Sequence, residues 1–498
     1  MNRSREIFFN FAVILGVAFV ASWDLGSWYY SIIGDEYAFY FYALDIVHKG
    51  LPEWSMLLNQ NGVYGEHPVL SSIPQVIFLK IFGDANVVWR FSSVFTLLLS
   101  FPALFYWAKR WYGQSAAVFT TLFYAASHYL IAYAHTGYNN IQAILFPLYT
   151  LFFLSRKKFF YVASLLAGIV SGLSFYTFYS ARITVFIGIL AYFVLWKEKH
   201  HDRQKLIKGG IIYAIGFLLL FLPFIGKNGT QTFMQMYQNT YLAPRFTTLV
   251  GEISPIKHFI FNFKINFFSF LSNPSTAKHY VSGPLVDRLT AFFVLGGFAI
   301  ILFHIKKAKY IFIGLVVVGI VAVAGGLYAV REIVTSRLYL VVPFWCLCAG
   351  ICLSVLYNST EKKLNKFVRY GFIACIVVAI FGLNAFTFYK VTPSKIYSGP
   401  EPLYIKLLQE KKHKKVVIVE DEDRTTFLAI AKSYGLSYVP MTLAQFTTLQ
   451  ITEPLILVDR TTEEQLGPII KEKGMAFAKK KITDTGGHFV EYYEVEKL

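Results

Sequence analysis

The stretch that decides the fold runs from Leu338 to Tyr357 and reads LYLVVPFWCLCAGICLSVLY. It carries no charged side chain, and a helix of about 20 apolar residues is long enough to cross the hydrocarbon core of a bilayer. Similar apolar runs recur along the chain, at 8–30, 88–107, 115–131, 139–155, 159–178, 183–196, 207–225, 289–304, 310–328 and 370–388. The sequence therefore predicts a polytopic α-helical membrane protein with about eleven transmembrane helices.

The composition excludes several other classes of protein. Of the 498 residues, 55% are hydrophobic, 18% are aromatic and 15% are charged, whereas a soluble domain usually carries about 25% charged residues. A water-soluble enzyme, a disordered chain and a secreted disulfide scaffold do not fit these values. The four cysteines all lie in apolar runs, which argues against both a disulfide framework and a zinc site built from cysteine.

Much of the net charge of +18 is explained by membrane topology. Basic residues cluster in alternate connections between the apolar runs: Arg3 and Arg5; Lys109 and Arg110; Arg156, Lys157 and Lys158; Lys197, Lys199, Arg203, Lys205 and Lys208; Lys306, Lys307 and Lys309; Lys362, Lys363, Lys366 and Arg369. Cytoplasmic loops are enriched in lysine and arginine, so these connections are predicted to be cytoplasmic. The charge therefore argues for a multi-pass plasma-membrane protein with surrounding lipids as partners, and against a nucleic-acid partner.

The opposite, extracytoplasmic side is predicted to hold the active site. It comprises a polar first loop at 31–87, a long segment at 226–288 and the chain after about 389. The 226–288 segment alternates aromatic and polar residues, which suits an interfacial helix or a re-entrant lid as well as a long loop with aromatic belt residues. We expect a transmembrane domain at 1–390 that carries both segments.

A small soluble α/β domain is predicted for residues 391–498, because charged residues return and apolar runs shorten there. The patterns indicate strands at 416–420, 455–459 and 488–495 and helices at 425–434 and 462–473. This domain is expected on the extracytoplasmic side.

The most informative polar cluster is Gly34-Asp35-Glu36-Tyr37, which directly follows the first apolar run. Carboxylates at a membrane face are costly unless they are solvated, paired or functional. Adjacent carboxylates can divide the work, one acting as a base and the other orienting the site or binding a cation. The alternative is that Asp35 and Glu36 only cap the following helix.

Several motifs follow this pair in order along the chain. They are Glu66-His67-Pro68, Phe82-Gly83, Arg90, Gly172 to Tyr176 leading into Tyr179 to Arg182, and Ser336-Arg337-Leu338-Tyr339 leading into Pro343. Together they resemble the GT-C fold membrane glycosyltransferases over residues 1–390, and more narrowly the protein O-mannosyltransferases, the lipid A aminoarabinose transferases and their bacterial relatives. The turn at 134–140 departs from many relatives, since it carries the neutral Asn139 where an arginine and often an acidic residue are common. The C-terminal domain matches no motif of the family.

The resemblance implies transfer of a sugar from a polyprenyl-phosphate donor to a hydroxyl acceptor on a protein, lipid or glycan, by an inverting single displacement. Asp35 is the expected base, with Glu36 orienting the site. Arg182 and Arg337, and less strongly Arg90 and Arg331, stand at outer span ends where a lipid phosphate would bind, and arginine suits phosphate through bidentate contacts. Substrate contacts are predicted for His67, Tyr179, Tyr339 and Asn139.

A metal site is left open by the sequence. Glu36, Glu66 and His67 could bind a divalent cation, but catalysis by the carboxylate and the arginines without any cofactor is the default expectation. A transporter or lipid flippase is the alternative function, although such proteins need polar groups near the middle of the bilayer and usually internal repeats. A non-catalytic scaffold is a third interpretation, and it leaves the Asp35 loop unexplained.

Overall fold

The computed structural model describes residues 3–30, 34–51, 53–60, 62–63, 67–198, 202–241, 255–272, 281, 283–326, 335–361, 365–396, 399–420, 425–460 and 466–497. Within these ranges the helices are α1 (Arg3–Ser22), α2 (Gly34–Lys49), α3 (Ile73–Phe82), α4 (Asn86–Tyr112), α5 (Gln114–Ala126), α6 (His128–His135), α7 (Leu145–Leu154), α8 (Phe160–Leu173), α9 (Thr184–Lys197), α10 (Arg203–Tyr241), α11 (Pro255–Phe267), α12 (Arg288–Phe303), α13 (Ala308–Val321), α14 (Thr335–Leu338), α15 (Val342–Ser359), α16 (Lys366–Phe386), α17 (Thr392–Lys395), α18 (Glu401–Glu410), α19 (Thr425–Ser433), α20 (Leu443–Thr448) and α21 (Leu466–Glu472). The strands are β1 (Lys415–Glu420), β2 (Val439–Thr442), β3 (Leu455–Arg460), β4 (Met475–Thr483) and β5 (Phe489–Lys497).

The helices confirm a multi-pass membrane protein. Among the described residues, six helices are long and apolar enough to cross a bilayer: Ser4–Ser22, Asn86–Tyr112, Tyr179–Lys197, Arg203–Lys227, Tyr339–Ser359 and Lys366–Lys395. A seventh span results if α5 and α6, which meet at 52°, form one bent span. Four shorter apolar helices coincide with the other predicted spans: Asn139–Leu154, Phe160–Tyr176, Arg288–Phe303 and Ala308–Ala324. The count of about eleven therefore stays a prediction.

The bend between α5 and α6 has a local cause in polar contacts. The side chain of Ser127 accepts a hydrogen bond from the backbone N–H of Leu130 and so caps α6. The backbone N–H of His128 donates to Asn384 of α16 at 3.0 Å. The polar groups that the break exposes are thereby satisfied inside the protein, as a membrane segment requires.

The segment predicted as a long loop at 226–288 contains helix on both sides of a gap. Helix α10 continues beyond the apolar run to Tyr241, and α11 follows after residues that lie outside the described ranges. On α11 the polar His258, Asn262 and Asn266 are spaced four residues apart and are all buried. This helix therefore turns these three polar side chains to the protein, and its exposed face carries both apolar residues and the lysines Lys257 and Lys264.

The described C-terminal residues include helices and a five-stranded sheet in the order β2-β1-β3-β5-β4, and the domain bounds 391–498 stay a prediction. Strand β1 pairs in parallel with β2 and β3, whereas β5 pairs antiparallel with β3 and β4. One apolar cluster runs from this domain into the membrane domain, since Ile430 and Tyr434 pack with Tyr37 of α2 and Trp89 of α4. The domain is therefore docked directly on the helix that carries Asp35.

Candidate active site

A buried ion pair joins the start of α2 to the start of α4. Glu36 is 0% exposed and Arg90 1% exposed, and Arg90 Nε donates to Glu36 Oε1 at 2.6 Å. Burial raises the pKa of Glu36, whereas the charge of Arg90 and a backbone hydrogen bond from Gly137 oppose that rise. Burial of an ion pair is costly, and hydrogen bonds to its remaining polar atoms offset part of that cost.

Three further oxygens accept hydrogen bonds from the Arg90 guanidinium. Nη1 donates to the carbonyls of Leu25 at 3.1 Å and Trp28 at 2.7 Å, and Nη2 donates to the hydroxyl of Tyr434 at 3.0 Å. This environment disagrees with the prediction that Arg90 binds the donor phosphate, because all three nitrogens already have protein partners. Arg90 instead holds together α2, the segment after α1 and the C-terminal domain.

Asp35 is the second residue of α2, directly before the buried Glu36. The structure does not describe the side chains of Asp35, Glu66 and Arg331. The predicted role of Asp35 as a base therefore remains a proposal. The backbone at Asp35 is nevertheless fixed one residue from the ion pair. Phe39, one helical turn further on, places α2 against His67, with ring centroids 4.9 Å apart.

His67 lies among aromatic rings in a tight local loop. Its backbone N–H donates to Val63 and its carbonyl accepts from Gly62, and its ring stacks on Tyr179 with centroids 5.5 Å apart. Burial lowers the pKa of His67 to about 4, and the positive charge of Arg337 adds to this effect. The imidazole is therefore neutral at neutral pH.

Arg182 lies in the turn Tyr179–Ile183, which precedes α9. Its Nη2 donates to Gln60 Oε1 at 3.2 Å. Its guanidinium carbon lies 5.1 Å from the ring centroid of Tyr179 and 5.3 Å from that of Phe224. Aromatic faces at this distance stabilise a cation without neutralising it.

Arg337 completes this group of side chains. It lies in α14, which contacts the Tyr179–Ile183 turn, and its charge acts on His67. The fold therefore brings His67, Tyr179, Arg182 and Arg337 into one region, although they come from three segments that are far apart in sequence.

Asn139 lies in the helical turn Asn139–Ile144 after α6, and Tyr339 lies in the helical turn Tyr339–Val341 after α14. Asn139 is 2% exposed and Tyr339 0% exposed. The Tyr339 hydroxyl donates to the carbonyl of Asn140, and its ring stacks on Tyr133 with centroids 4.6 Å apart. Tyr339 thus stabilises the turn in this structure, whereas Asn139 remains a predicted substrate contact.

Sequence reasoning missed three residues at this site. Gln60 contacts Arg182 as described, Gln75 Nε2 donates to the carbonyl of Gly137 at 2.5 Å, and Tyr434 contacts Arg90. Glutamine and tyrosine carry no motif signal of their own, and Tyr434 lies 344 residues from Arg90 in sequence. Only the polar character of the first loop pointed toward Gln60.

The predicted metal ligands were Glu36, Glu66 and His67. Across the described ranges, no group of three or more His, Cys, Asp or Glu side chains could hold a metal ion, and the Glu36 carboxylate faces Arg90. Glu66 lies outside those ranges, so the possible divalent cation stays a prediction.

Comparison with known proteins tests the resemblance. A model of the family described as dolichyl-phosphate-mannose-protein mannosyltransferase matches residues 66–226. Across 99% of this chain and 98% of the other, the structure superposes on ArnT from Cupriavidus metallidurans bound to undecaprenyl phosphate, with a TM-score of 0.55 and 13% identity. The chain has the GT-C fold.

A second solved structure agrees with this result. The Archaeoglobus fulgidus oligosaccharyltransferase AglB, in complex with an inhibitory peptide and a dolichol-phosphate, matches with a TM-score of 0.51 and 13% identity, over 98% of this chain and 74% of that one. A search of curated protein sequences gives no match. The GT-C resemblance predicted from the sequence is thus confirmed.

Proposed function

We propose that this protein is a glycosyltransferase that moves a sugar from a polyprenyl-phosphate donor to a hydroxyl group of a protein, lipid or glycan on the extracytoplasmic membrane face. The observation that carries the proposal is the convergence of Arg182, Arg337, His67 and Tyr179 beside the helix that begins with Asp35. The matched family model and the lipid phosphates bound by both structural neighbours support it.

Arg182 and Arg337 are the proposed ligands of the donor phosphate. Guanidinium groups bind phosphate through two parallel hydrogen bonds and carry a permanent charge. In the displacement the bond between the anomeric carbon and the phosphate oxygen breaks, so the lipid phosphate gains negative charge. Fixed cations aimed at that developing charge lower the barrier.

Asp35 is the proposed general base. It takes the proton of the acceptor hydroxyl while that oxygen bonds to the anomeric carbon from the face opposite the leaving phosphate. One displacement of this kind inverts the configuration at the anomeric carbon. Glu36 is given a positioning role instead, because its carboxylate is bound to Arg90.

His67, Tyr179 and Asn139 are proposed to contact the substrates. A neutral imidazole and a neutral amide offer both donors and acceptors to sugar hydroxyls, and the ring of Tyr179 offers an apolar face to the sugar or to the lipid neck. Tyr339 acts behind them by holding the turn that carries Asn139.

The test is a transfer assay with the full-length protein in nanodiscs and a panel of radiolabelled polyprenyl-phosphate sugars. We expect one donor class to release free polyprenyl phosphate and to give a glycosylated acceptor with the inverted anomeric configuration. Retention of configuration would contradict the single displacement. Movement of intact donor across sealed vesicles, with no cleavage of the sugar–phosphate bond, would instead favour a flippase.

A further inference from the structure

The hydroxyl group of Tyr434, in the C-terminal domain, bonds directly to groups of the membrane domain. Tyr434 follows α19, and Gly435, with φ +68°, ends that helix. The Tyr434 hydroxyl donates to the carbonyl of Trp28 at 2.6 Å and accepts from Arg90 Nη2 at 3.0 Å. A phenol hydroxyl can donate its one proton and accept a hydrogen bond on its oxygen, so these two hydrogen bonds form at the same time.

The two hydrogen bonds of Tyr434 also complete the hydrogen bonding of Trp28 and Arg90. The Trp28 carbonyl accepts from both Tyr434 and Arg90, and a carbonyl oxygen has two lone pairs. Arg90 has no other contact to the C-terminal domain among the hydrogen bonds of the described residues. Removal of the Tyr434 hydroxyl therefore leaves a buried guanidinium nitrogen and a carbonyl each short of a partner.

A second contact fixes the same two elements. The hydroxyls of Ser433 and Tyr37 lie 3.3 Å apart, and Tyr37 is the residue after Glu36 in α2. The first turn of α2 is thus held from the membrane domain by Arg90 and from the C-terminal domain by Ser433 and Tyr434.

We propose that Tyr434 is a positioning residue for catalysis: through Arg90 and Glu36 it fixes the first turn of α2, and with it Asp35, in the orientation that the reaction needs. This inference rests on the proposed function for its catalytic part. It gives the C-terminal domain a role in building the active site, in addition to any contact with an acceptor.

The mechanism predicts an effect on turnover more than on binding. Arg182 and Arg337, the proposed phosphate ligands, come from segments other than α2, so donor binding does not depend on Tyr434. A base displaced by a fraction of an ångström loses its alignment with the acceptor hydroxyl, and that loss appears in kcat.

The test compares Tyr434→Phe with Tyr438→Phe in the full-length protein in nanodiscs. Tyr438 lies in the same domain and in the same apolar cluster, and its hydroxyl contacts Glu420 at 3.5 Å, whereas that of Tyr434 bonds to Arg90 and Trp28. For Tyr434→Phe we expect kcat to fall about tenfold with donor KM within about twofold of the wild-type value. We also expect faster amide hydrogen exchange at 34–49, and Tyr438→Phe should change neither quantity.

Two results would overturn the inference. One is wild-type kcat and wild-type exchange at 34–49 in Tyr434→Phe. The other is an equal loss in Tyr438→Phe, which would indicate general destabilisation of the domain. Hydrogen exchange is measured without substrate, so it tests the contact of Tyr434 with α2 even if the wild-type protein transfers no sugar. A wild-type protein that transfers no sugar would count against the proposed function alone.

Discussion

At the residue scale, the adjacent carboxylates Asp35 and Glu36 have different proposed roles. Glu36 is enclosed and bound to Arg90, so its removal leaves a buried cation without its partner, which typically costs about 3–5 kcal/mol of stability. We therefore expect Glu36→Gln to lower the melting temperature as well as activity. Asp35→Asn keeps shape and hydrogen bonding but removes basicity, so it should fold and bind donor while turnover falls about a hundredfold or more.

Steady-state kinetics and thermal melting of the two purified variants measure this difference. Near-wild-type transfer by Asp35→Asn would remove the base role. If Asp35→Asn stayed active while Glu36→Gln melted normally but lost turnover, the base would move one residue along the chain.

The two arginines of the site give a second prediction at this scale. Arg182→Ala or Arg337→Ala should lower kcat/KM for the donor about a hundredfold, because each removes a charge-assisted contact to the phosphate. Arg288→Ala is the matched control, since this exposed arginine begins α12. Unchanged donor kinetics in both site variants would contradict the assignment.

His67 gives a third prediction, for pH dependence. Its pKa in the folded protein is about 4, below its ordinary value of 6.5, so between those values the unfolded chain binds a proton that the native protein excludes. The stabilising effect of neutral His67 is present above about pH 6.5 and is lost as the pH falls toward 4.

Thermal melting between pH 4 and pH 7 should therefore depend less on pH in His67→Gln than in the wild-type protein. Arg337→Gln should raise the pKa of His67, because one of its two causes is removed while burial remains. NMR titration of labelled histidines measures this shift, and Arg288→Gln should leave it unchanged.

At the element scale, the turn between α6 and the helical turn Asn139–Ile144 depends on close packing. A Cβ atom on Gly137 would lie 1.8 Å from the ring of Trp89, so Gly137→Ala must displace either the turn or the ring. Overpacking of this kind typically costs about 1–3 kcal/mol. We expect a lower melting temperature and weaker activity, since the same turn carries Asn139.

Gly371→Ala is the matched control. It lies in α16, and a Cβ atom there meets nothing within 4 Å, so alanine should be neutral or slightly stabilising in the helix. Equal melting temperatures for Gly137→Ala and the wild-type protein would show that the turn can move aside without cost.

Much of the element order could be predicted from the sequence, because the long apolar runs of the helices and the short apolar runs of the buried strands are local signals. Each apolar run overlaps one or more helices of the described residues, and β1, β3 and β5 lie within one or two residues of their predicted bounds. Strand β2 was missed because it has four residues including Pro440. Strand β4 was missed because three consecutive lysines and an exposed edge hide its pattern.

Part of the candidate site could also be predicted from the sequence, and part could not. His67, Arg182 and Arg337 could be predicted to converge, because alternating basic loops place their segments on one side of the membrane. The buried role of Arg90 could not, since it depends on Tyr434, 344 residues away in sequence, and on the backbone carbonyls of Leu25 and Trp28 after α1. Long-range hydrogen bonds leave no periodic trace in a sequence.

At the scale of the whole molecule, the last prediction concerns orientation. The basic connections predict that the first loop and the C-terminal domain lie outside the cell, and the contacts of Tyr434 with Arg90 and Trp28 hold both on the same side of the helices. The three cysteines other than Cys375 are buried, so Cys375→Ser gives a protein without an exposed thiol. In that background, Glu53→Cys places a single accessible thiol in the first loop, and Thr485→Cys places one in the C-terminal domain.

We expect a membrane-impermeant maleimide to label both sites in intact cells, and to label Lys157→Cys, in a basic connection, only after permeabilisation. Labelling of Glu53→Cys and Thr485→Cys only after permeabilisation would invert the topology and put the proposed site on the cytoplasmic face. Labelling of only one of the two in intact cells would be more damaging, because the first loop and the C-terminal domain share one buried hydrogen-bond network and must therefore lie on one side.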